Sequence, residues 1–146
     1  MDHVDCMIMN ALQKNGRISM NKLAESIPMS VPATCERVRK LEDNGAIAGY
    51  TVSLSPMLLG KTINAFILFA CNIGEIDKVR EFLNQDHRVI SAHFLAGKYT
   101  MMLEVSCTDM NEYLDLIQIL FPLGTSESYI QIECIKERFY DLLLEE

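Results

Sequence analysis

The sequence predicts an α+β fold: an N-terminal winged helix-turn-helix followed by a C-terminal ferredoxin-like βαββαβ sandwich. Three observations carry that prediction. Before residue 45, apolar residues recur at helical spacing in three short runs, each preceded by a residue able to cap a helix. From residue 63 onward, β-rich and helical segments alternate in the order βαββαβ. Between the two patterns lie Ser55-Pro56 and Gly60, residues that punctuate rather than extend regular structure. The predicted organisation is a first domain over residues 1–54, a linker over 55–62 and a second domain over 63–146.

In the first domain, Val4, Met7, Ile8, Ala11 and Leu12 form one helical stripe, with Asp2 as N-cap and Asn15-Gly16 as the stop. Ser19 is suited to cap a second helix over 20–26, turning Leu23, Ala24 and Ile27 inward. After the break at Pro28-Met29, Ser30 caps a third helix, and Pro32 falls in its first turn, where a missing N–H costs nothing. Thr34, Val38 and Leu41 make the inward stripe of that helix, and Gly45 supplies the left-handed residue that stops it. Ile47, Tyr50, Val52 and Leu54 around Gly49 predict a short β-ribbon, the wing, over 46–54.

The second half opens with a β-rich aromatic strand over 63–73, then a helix over 75–85 with Ile76, Val79, Phe82 and Leu83 at helical spacing. Strands over 89–95 and 99–106 are joined through Ala96-Gly97-Lys98, a hairpin signal. Met110, Tyr113, Leu114, Ile117 and Leu120 set a helix over 110–121. Alternation of Ile130, Ile132 and Cys134 sets a strand over 128–135, and 139–144 reads as a terminal helix. Gly97 is expected at a positive φ, Tyr99 as a packed strand aromatic, and Met101 and Met102 as strand residues on opposite faces.

Composition narrows the function. Five cysteines, Cys6, Cys35, Cys71, Cys107 and Cys134, are odd in number and widely scattered without a C-x-x-C pair. That argues for reduced thiols, against a disulfide framework or zinc module, and for the cytoplasm. No apolar run reaches the length of a membrane span, and the first residues are not those of a secretory signal. His3, His87 and His93 stand apart, without a metal or triad pattern, and there is no phosphate-binding glycine loop. The pairs Asp109/Glu112 and Glu133/Glu137 read as surface charge, so neither an enzyme nor any cofactor or metal is expected. The formal charge of −7 is uneven: basic and acidic residues balance over 1–60, so all of the excess lies in 61–146. The charge therefore leaves the first domain open to nucleic acid and argues against its touching the second. A neutral first domain is weak for phosphate attraction, and pairing of subunits would double its contacts.

The third helix carries the recognition chemistry. Its outward surface presents Pro32, Ala33, Glu36, Arg39 and Lys40, with Arg37 on the shoulder. In the major groove of double-stranded DNA, Arg37 suits a guanine edge, Glu36 the N4 amine of cytosine and Ala33 a thymine methyl. Arg39 and Lys40 suit phosphates. Ser30 can cap its helix, contact a phosphate, or do both, and Arg17 and Lys22 read equally as phosphate contacts or solvent-exposed charge. Such a helix is also what a solvated surface looks like; the three-helix frame and wing around it favour DNA.

The stretch GRISMNKLAESIPMSVPATCERVRKLEDNGAIAGYTVSLSPMLLG resembles the signature of the leucine-responsive/asparagine-regulator (Lrp/AsnC) family. DHVDCMIMNALQKNGR is similar to that family's first helix and AGKYTMMLEV to its effector-domain hairpin. The resemblance covers nearly the whole chain. It implies a DNA-binding transcription regulator with a sensor domain, homodimers paired through their sheets, further assembly into tetramers or octamers, and a small amino-acid-like effector between dimers. The implied effector positions are Leu95, Gly97, Lys98, Tyr99 and Thr100, with Thr125, Ser126 and Ser128 supplied by a neighbouring subunit. The family hairpin is close to G-D-Y-D, whereas this chain reads Gly97-Lys98-Tyr99-Thr100, without either acid. A carboxylate is the natural partner of a ligand ammonium, so three readings stand: an atypical amino acid, a different metabolite, or no effector. The alternative for the whole chain is a metabolite-binding oligomeric module without DNA binding.

Overall fold

The computed structural model describes residues 1–135 and 140. The chain divides into two compact units, one built on Met1–Ser53, with which Tyr140 is grouped, and one spanning Leu54–Ile135.

In the first unit, α1 (His3–Lys14) opens on a reciprocal capping box. The Asp5 N–H donates to Asp2 and the Asp2 N–H donates back to the Asp5 carboxylate, each at 2.9 Å. Ser19 accepts from the Lys22 N–H to start α2 (Met20–Glu25). Ser30 accepts from the Ala33 N–H to start α3 (Val31–Asp43), with Pro32 in the first turn. These caps satisfy donors that a helix start otherwise leaves bare. The inward stripes converge as the spacing predicts: Ile8, Met9, Leu12, Leu23, Ile27, Val38 and Leu41 form one core. Thr34 is fully buried among them, and its hydroxyl donates to the Ser30 carbonyl at 3.0 Å, which removes the cost of hiding it. Helices this short are marginal alone, so this shared core holds all three. Gly45, at φ 77°, supplies the left-handed turn after α3.

The ribbon expected over 46–54 is not formed: none of these residues is in a strand. The apolar residues that suggested it are outward, Tyr50, Val52 and Leu54 being 53%, 71% and 63% exposed. A strand needs a partner to take its N–H and C=O groups, and among the described residues this segment has none. What fixes it instead is α3: the Ile47 N–H donates to the Leu41 carbonyl at 2.9 Å and the Tyr50 hydroxyl to Glu42 at 2.8 Å.

The second unit follows the predicted order βαββαβ: β1 (Ile63–Cys71), α4 (Ile76–Gln85), β2 (Val89–Phe94), β3 (Met101–Cys107), α5 (Met110–Leu120) and β4 (Gly124–Ile130). The four strands form one antiparallel sheet in the order β2-β3-β1-β4. Its core joins Ala65, Ile67 and Phe69 of β1 and Met101, Leu103, Val105 and Cys107 of β3 to Val79 and Leu83 of α4 and Tyr113, Leu116 and Leu120 of α5. As expected, Met101 is buried and Met102 lies on the other face, less covered.

Two local expectations are corrected. The last strand was placed over 128–135, but it runs from Gly124 to Ile130 because it must match β1, from Cys71↔Gly124 to Ala65↔Ile130. Gly97 does not have a positive φ, and a Cβ there would meet open space. Close packing demands a glycine at Gly124 instead, where a Cβ would lie 2.2 Å from the Ala70 carbonyl oxygen. Apart from Tyr140, the terminal helix expected over 139–144 lies outside the described residues. No helix among them is long and apolar enough to cross a membrane.

Candidate nucleic-acid interface and ligand region

Helix α3 presents two different outward surfaces. Along its open side, Pro32, Cys35, Glu36 and Arg39 follow one another at i, i+3, i+4 and i+7, all exposed, with Ser30 and Lys40 exposed beside them. Cys35 belongs to this stripe although the sequence reading passed over it; its helical offset from Pro32 was the available signal. The shoulder stripe is Ala33 and Arg37, both half-buried. Lys40 pairs with Glu36 at 2.9 Å, and its ammonium holds the Glu36 carboxyl below the usual range. Among the described residues, Arg39 is the cation of α3 outside an ion pair. Arg17 and Lys22 are exposed.

Arg37 is already engaged. Its Nη1 lies 2.6 Å from Asp2 Oδ2 and 2.7 Å from Asp5 Oδ1, the two carboxylates of the α1 capping box. The Asp2 carboxyl is held low first by the Asp5 N–H and then by Arg37, while the guanidinium is pushed up by both acids. The sequence assigned Arg37 to a guanine edge; the fold gives that side chain partners inside its own unit.

In the second unit the hairpin between β2 and β3 is closed by the Leu95 N–H donating to the Thr100 carbonyl at 2.8 Å. Thr100 is tied to β1: its hydroxyl donates to the Phe69 carbonyl at 3.2 Å and accepts from the Cys71 N–H at 3.0 Å. Gly97 and Lys98 project at the tip, exposed, and the Lys98 Nζ sits 4.7 Å from the Tyr99 ring centroid. Tyr99 is thus partly covered beside the strand rather than inside it.

The missing hairpin acids are answered from elsewhere. Lys98 Nζ lies 3.2 Å from Glu127 Oε1 on β4, and the Tyr129 hydroxyl donates to the other Glu127 oxygen at 3.0 Å. Tyr99, then Tyr129 and Lys98, hold the Glu127 carboxyl below its ordinary value, and Lys98 is raised first by Tyr99 and then by Glu127. A carboxylate and an ammonium therefore stand side by side at the hairpin. Of the β4 residues expected from a neighbouring subunit, Thr125 shares the Glu127 face, paired beside Ala70 as Glu127 is beside Leu68. Ser126 and Ser128 pair with Phe69 and Ile67 and so lie on the opposite, helix-bearing side of the sheet. One subunit does not bring all the expected effector residues together.

A second polar cluster was not anticipated. Glu112, at the start of α5, accepts from the N–H and hydroxyl of Thr108 and lies 3.2 Å from His87 and 3.5 Å from Lys61. The Thr108 donors hold its carboxyl down to about 2. Beside it, Arg88 is fastened to Asp86 at 2.5 Å and donates to the Glu112 carbonyl at 3.2 Å. No group of His, Cys, Asp and Glu among the described residues is arranged to hold a metal ion.

Comparison with known proteins matches both halves. Residues 1–48 fit the family described as winged helix-turn-helix DNA-binding, and residues 64–140 fit the Lrp/AsnC ligand binding domain. The chain is 27% identical over 143 residues to the HTH-type transcriptional regulator LrpB of Bacillus subtilis, covering 98% of this chain and 96% of that one. It is 31% identical over 144 residues to the leucine-responsive regulatory protein of Escherichia coli K12, covering 94% and 88%. Among solved structures, that of a Neisseria meningitidis transcriptional regulator in complex with L-Met superposes with a TM-score of 0.88 at 26% identity, covering 94% and 93%. B. subtilis LrpC shares the fold with a TM-score of 0.89 at 23% identity, covering 94% and 99%. With a DNA-binding helix-turn-helix matched over the first unit and a ligand-binding domain over the second, this chain belongs to the Lrp/AsnC family of DNA-binding transcription regulators, not to a class of enzymes.

Proposed function

We propose that α3 enters the major groove with Pro32, Cys35 and Glu36 toward the base edges, Ala33 at their margin, and Arg39, Lys40 and Ser30 along the phosphates. The observation that carries this is the division of α3 itself: Thr34, Val38 and Leu41 are buried, while a continuous stripe from Pro32 to Arg39 is open. A helix anchored on one side and bare on the other is what groove insertion needs. Among the described residues Arg39 has no ion pair to give up, whereas Lys40 must leave Glu36 before it meets a phosphate. Fluorescence anisotropy on operator DNA across a salt series tests this. Arg39→Ala should weaken binding and lower the salt slope by about 1; an unchanged slope and affinity would remove α3 from the interface.

The same reading assigns the second unit to assembly and sensing, in the cytoplasm. Homodimers form through the sheet face opposite α4 and α5, which carries Phe66, Leu68, Met102 and Tyr129. Pairs of dimers then bring Ser126 and Ser128 of one subunit toward the hairpin of another, making tetramers or octamers. The effector is a zwitterionic amino acid: Glu127 receives its ammonium and Lys98 its carboxylate, replacing their mutual ion pair. That the N. meningitidis relative was solved with L-Met supports this class of ligand. The ligand changes operator affinity by favouring one assembly over another, since a ligand shifts only an equilibrium whose states it binds unequally. Titration calorimetry with L-Met and other amino acids, alongside sedimentation, checks it. Glu127→Gln and Lys98→Ala should each lose binding; if both bind as the parent does, this site is wrong.

A further inference from the structure

We infer that Arg37 is a positioning residue that sets the rotation of α3 and reads no base. The geometry is a three-body clamp. One guanidinium nitrogen of Arg37 reaches both Asp2 and Asp5, at 2.6 and 2.7 Å, and those carboxylates are themselves fixed by the reciprocal cap that opens α1. The clamp joins the middle of the recognition helix to the first turn of another helix, 32 to 35 residues away in sequence. It acts on the shoulder stripe, one face round from Pro32, Cys35, Glu36 and Arg39, so the side facing α1 is held while the reading side stays open.

Elimination supports this role. With Asp2 and Asp5 against it, Arg37 offers no net positive charge to a phosphate, so it is a poor source of non-specific attraction. To reach guanine bidentately it would abandon two carboxylates and leave them facing DNA without compensation. Simple stabilisation is a separate role, kept apart by measuring each variant below its own melting temperature. A rotation of α3 about its axis, however, moves every side chain at the groove together, and that is what this clamp opposes.

The inference rests on α3 being the recognition helix, and the test separates the two. DNA affinity is measured by anisotropy for the parent, Arg37→Ala, the pair Asp2→Asn with Asp5→Asn, and all three changes together. Each is measured well below its own melting temperature, at several salt concentrations, with binding-site selection from randomised duplexes. Removing two negative charges near DNA should by electrostatics alone tighten binding. The clamp predicts the opposite: the Asn pair should weaken it, roughly tenfold and about as much as Arg37→Ala, and the triple variant should be no worse than either. The salt slope and the selected sequence should stay those of the parent. The inference is overturned if Arg37→Ala alone relaxes one base position or lowers the slope by about 1, or if the Asn pair tightens binding or leaves it unchanged. If Arg39→Ala is also without effect, α3 is not the reading helix, and the two proposals fall together.

Discussion

The two units present their candidate functional side chains by different means. In the first, one helix does both jobs: Thr34, Val38 and Leu41 bury while Pro32, Cys35, Glu36 and Arg39 project, all from thirteen consecutive residues. In the second, Lys98 meets Glu127 only because β4 pairs with β1 in one particular register. A surface built on one helix depends on that helix forming and keeping its orientation. A surface built across strands depends on the register of the entire sheet. Damage should therefore spread further in the second unit than in the first.

The sharpest way to break the contrast is at Gly124. Its would-be Cβ lies 2.2 Å from backbone oxygen of Ala70 and 2.7 Å from the Phe69 ring, neither of which can step aside cheaply. Gly124→Val should cost roughly 3 kcal/mol or more, by overpacking at the β1–β4 ladder. Loss of amino-acid binding is expected at temperatures where the first unit remains folded by circular dichroism. Gly97→Ala, at the hairpin itself, should stay within about 0.5 kcal/mol because its Cβ meets nothing. Near-equal melting shifts for the two variants would contradict the register argument. In the first unit the comparable injury is Ile8→Ala, fully buried beneath α3. A loss of about 2–4 kcal/mol is expected in thermal melts.

How much of this was legible beforehand follows the same division. The three helices, their caps at Asp2, Ser19 and Ser30 and the inward stripe of α3 could be read because helical periodicity and capping act within a few residues. The order βαββαβ was legible for the same reason, strand by strand. What could not be read joins distant residues. Glu127 stands 29 positions from Lys98, so the acid missing from the hairpin was invisible until the sheet was assembled. The ion pairs of Arg37 were equally hidden, because nothing local shows that Asp2 and Asp5 reach it. The segment over 46–54 carries strand-like residues, but a strand is decided by its partner, not by its own composition.

A smaller effect should come from pH, again in the second unit. Glu112 titrates at about 2 in the folded protein against 4.5 unperturbed, chiefly because Thr108 donates to it. A carboxyl depressed by folding stabilises the protein above its unfolded value and loses that contribution as pH falls through the folded one. The window is therefore between about 4.5 and about 2. Because the side chain is 20% exposed, the contribution is on the order of 1–2 kcal/mol rather than the full equivalent of the shift. Glu112→Gln should flatten the fall in melting temperature across that window. An equally steep fall in the variant would place the acid sensitivity elsewhere.

The smallest expected effect returns to the single-helix surface. Ser30 accepts from the Ala33 N–H at 3.4 Å, a long cap, so Ser30→Ala should cost about 0.5–1 kcal/mol of stability in the first unit. Ser30 is also exposed at the N-terminal end of α3, which leaves capping and phosphate contact both open to it. Ser30→Asp tells them apart, since aspartate caps a helix at least as well as serine but repels a phosphate. Stability should recover to the parent value in thermal melts. DNA affinity should fall in anisotropy titrations below that of Ser30→Ala. Recovery of both would make Ser30 a cap alone and move the first phosphate contact further along α3, toward Arg39.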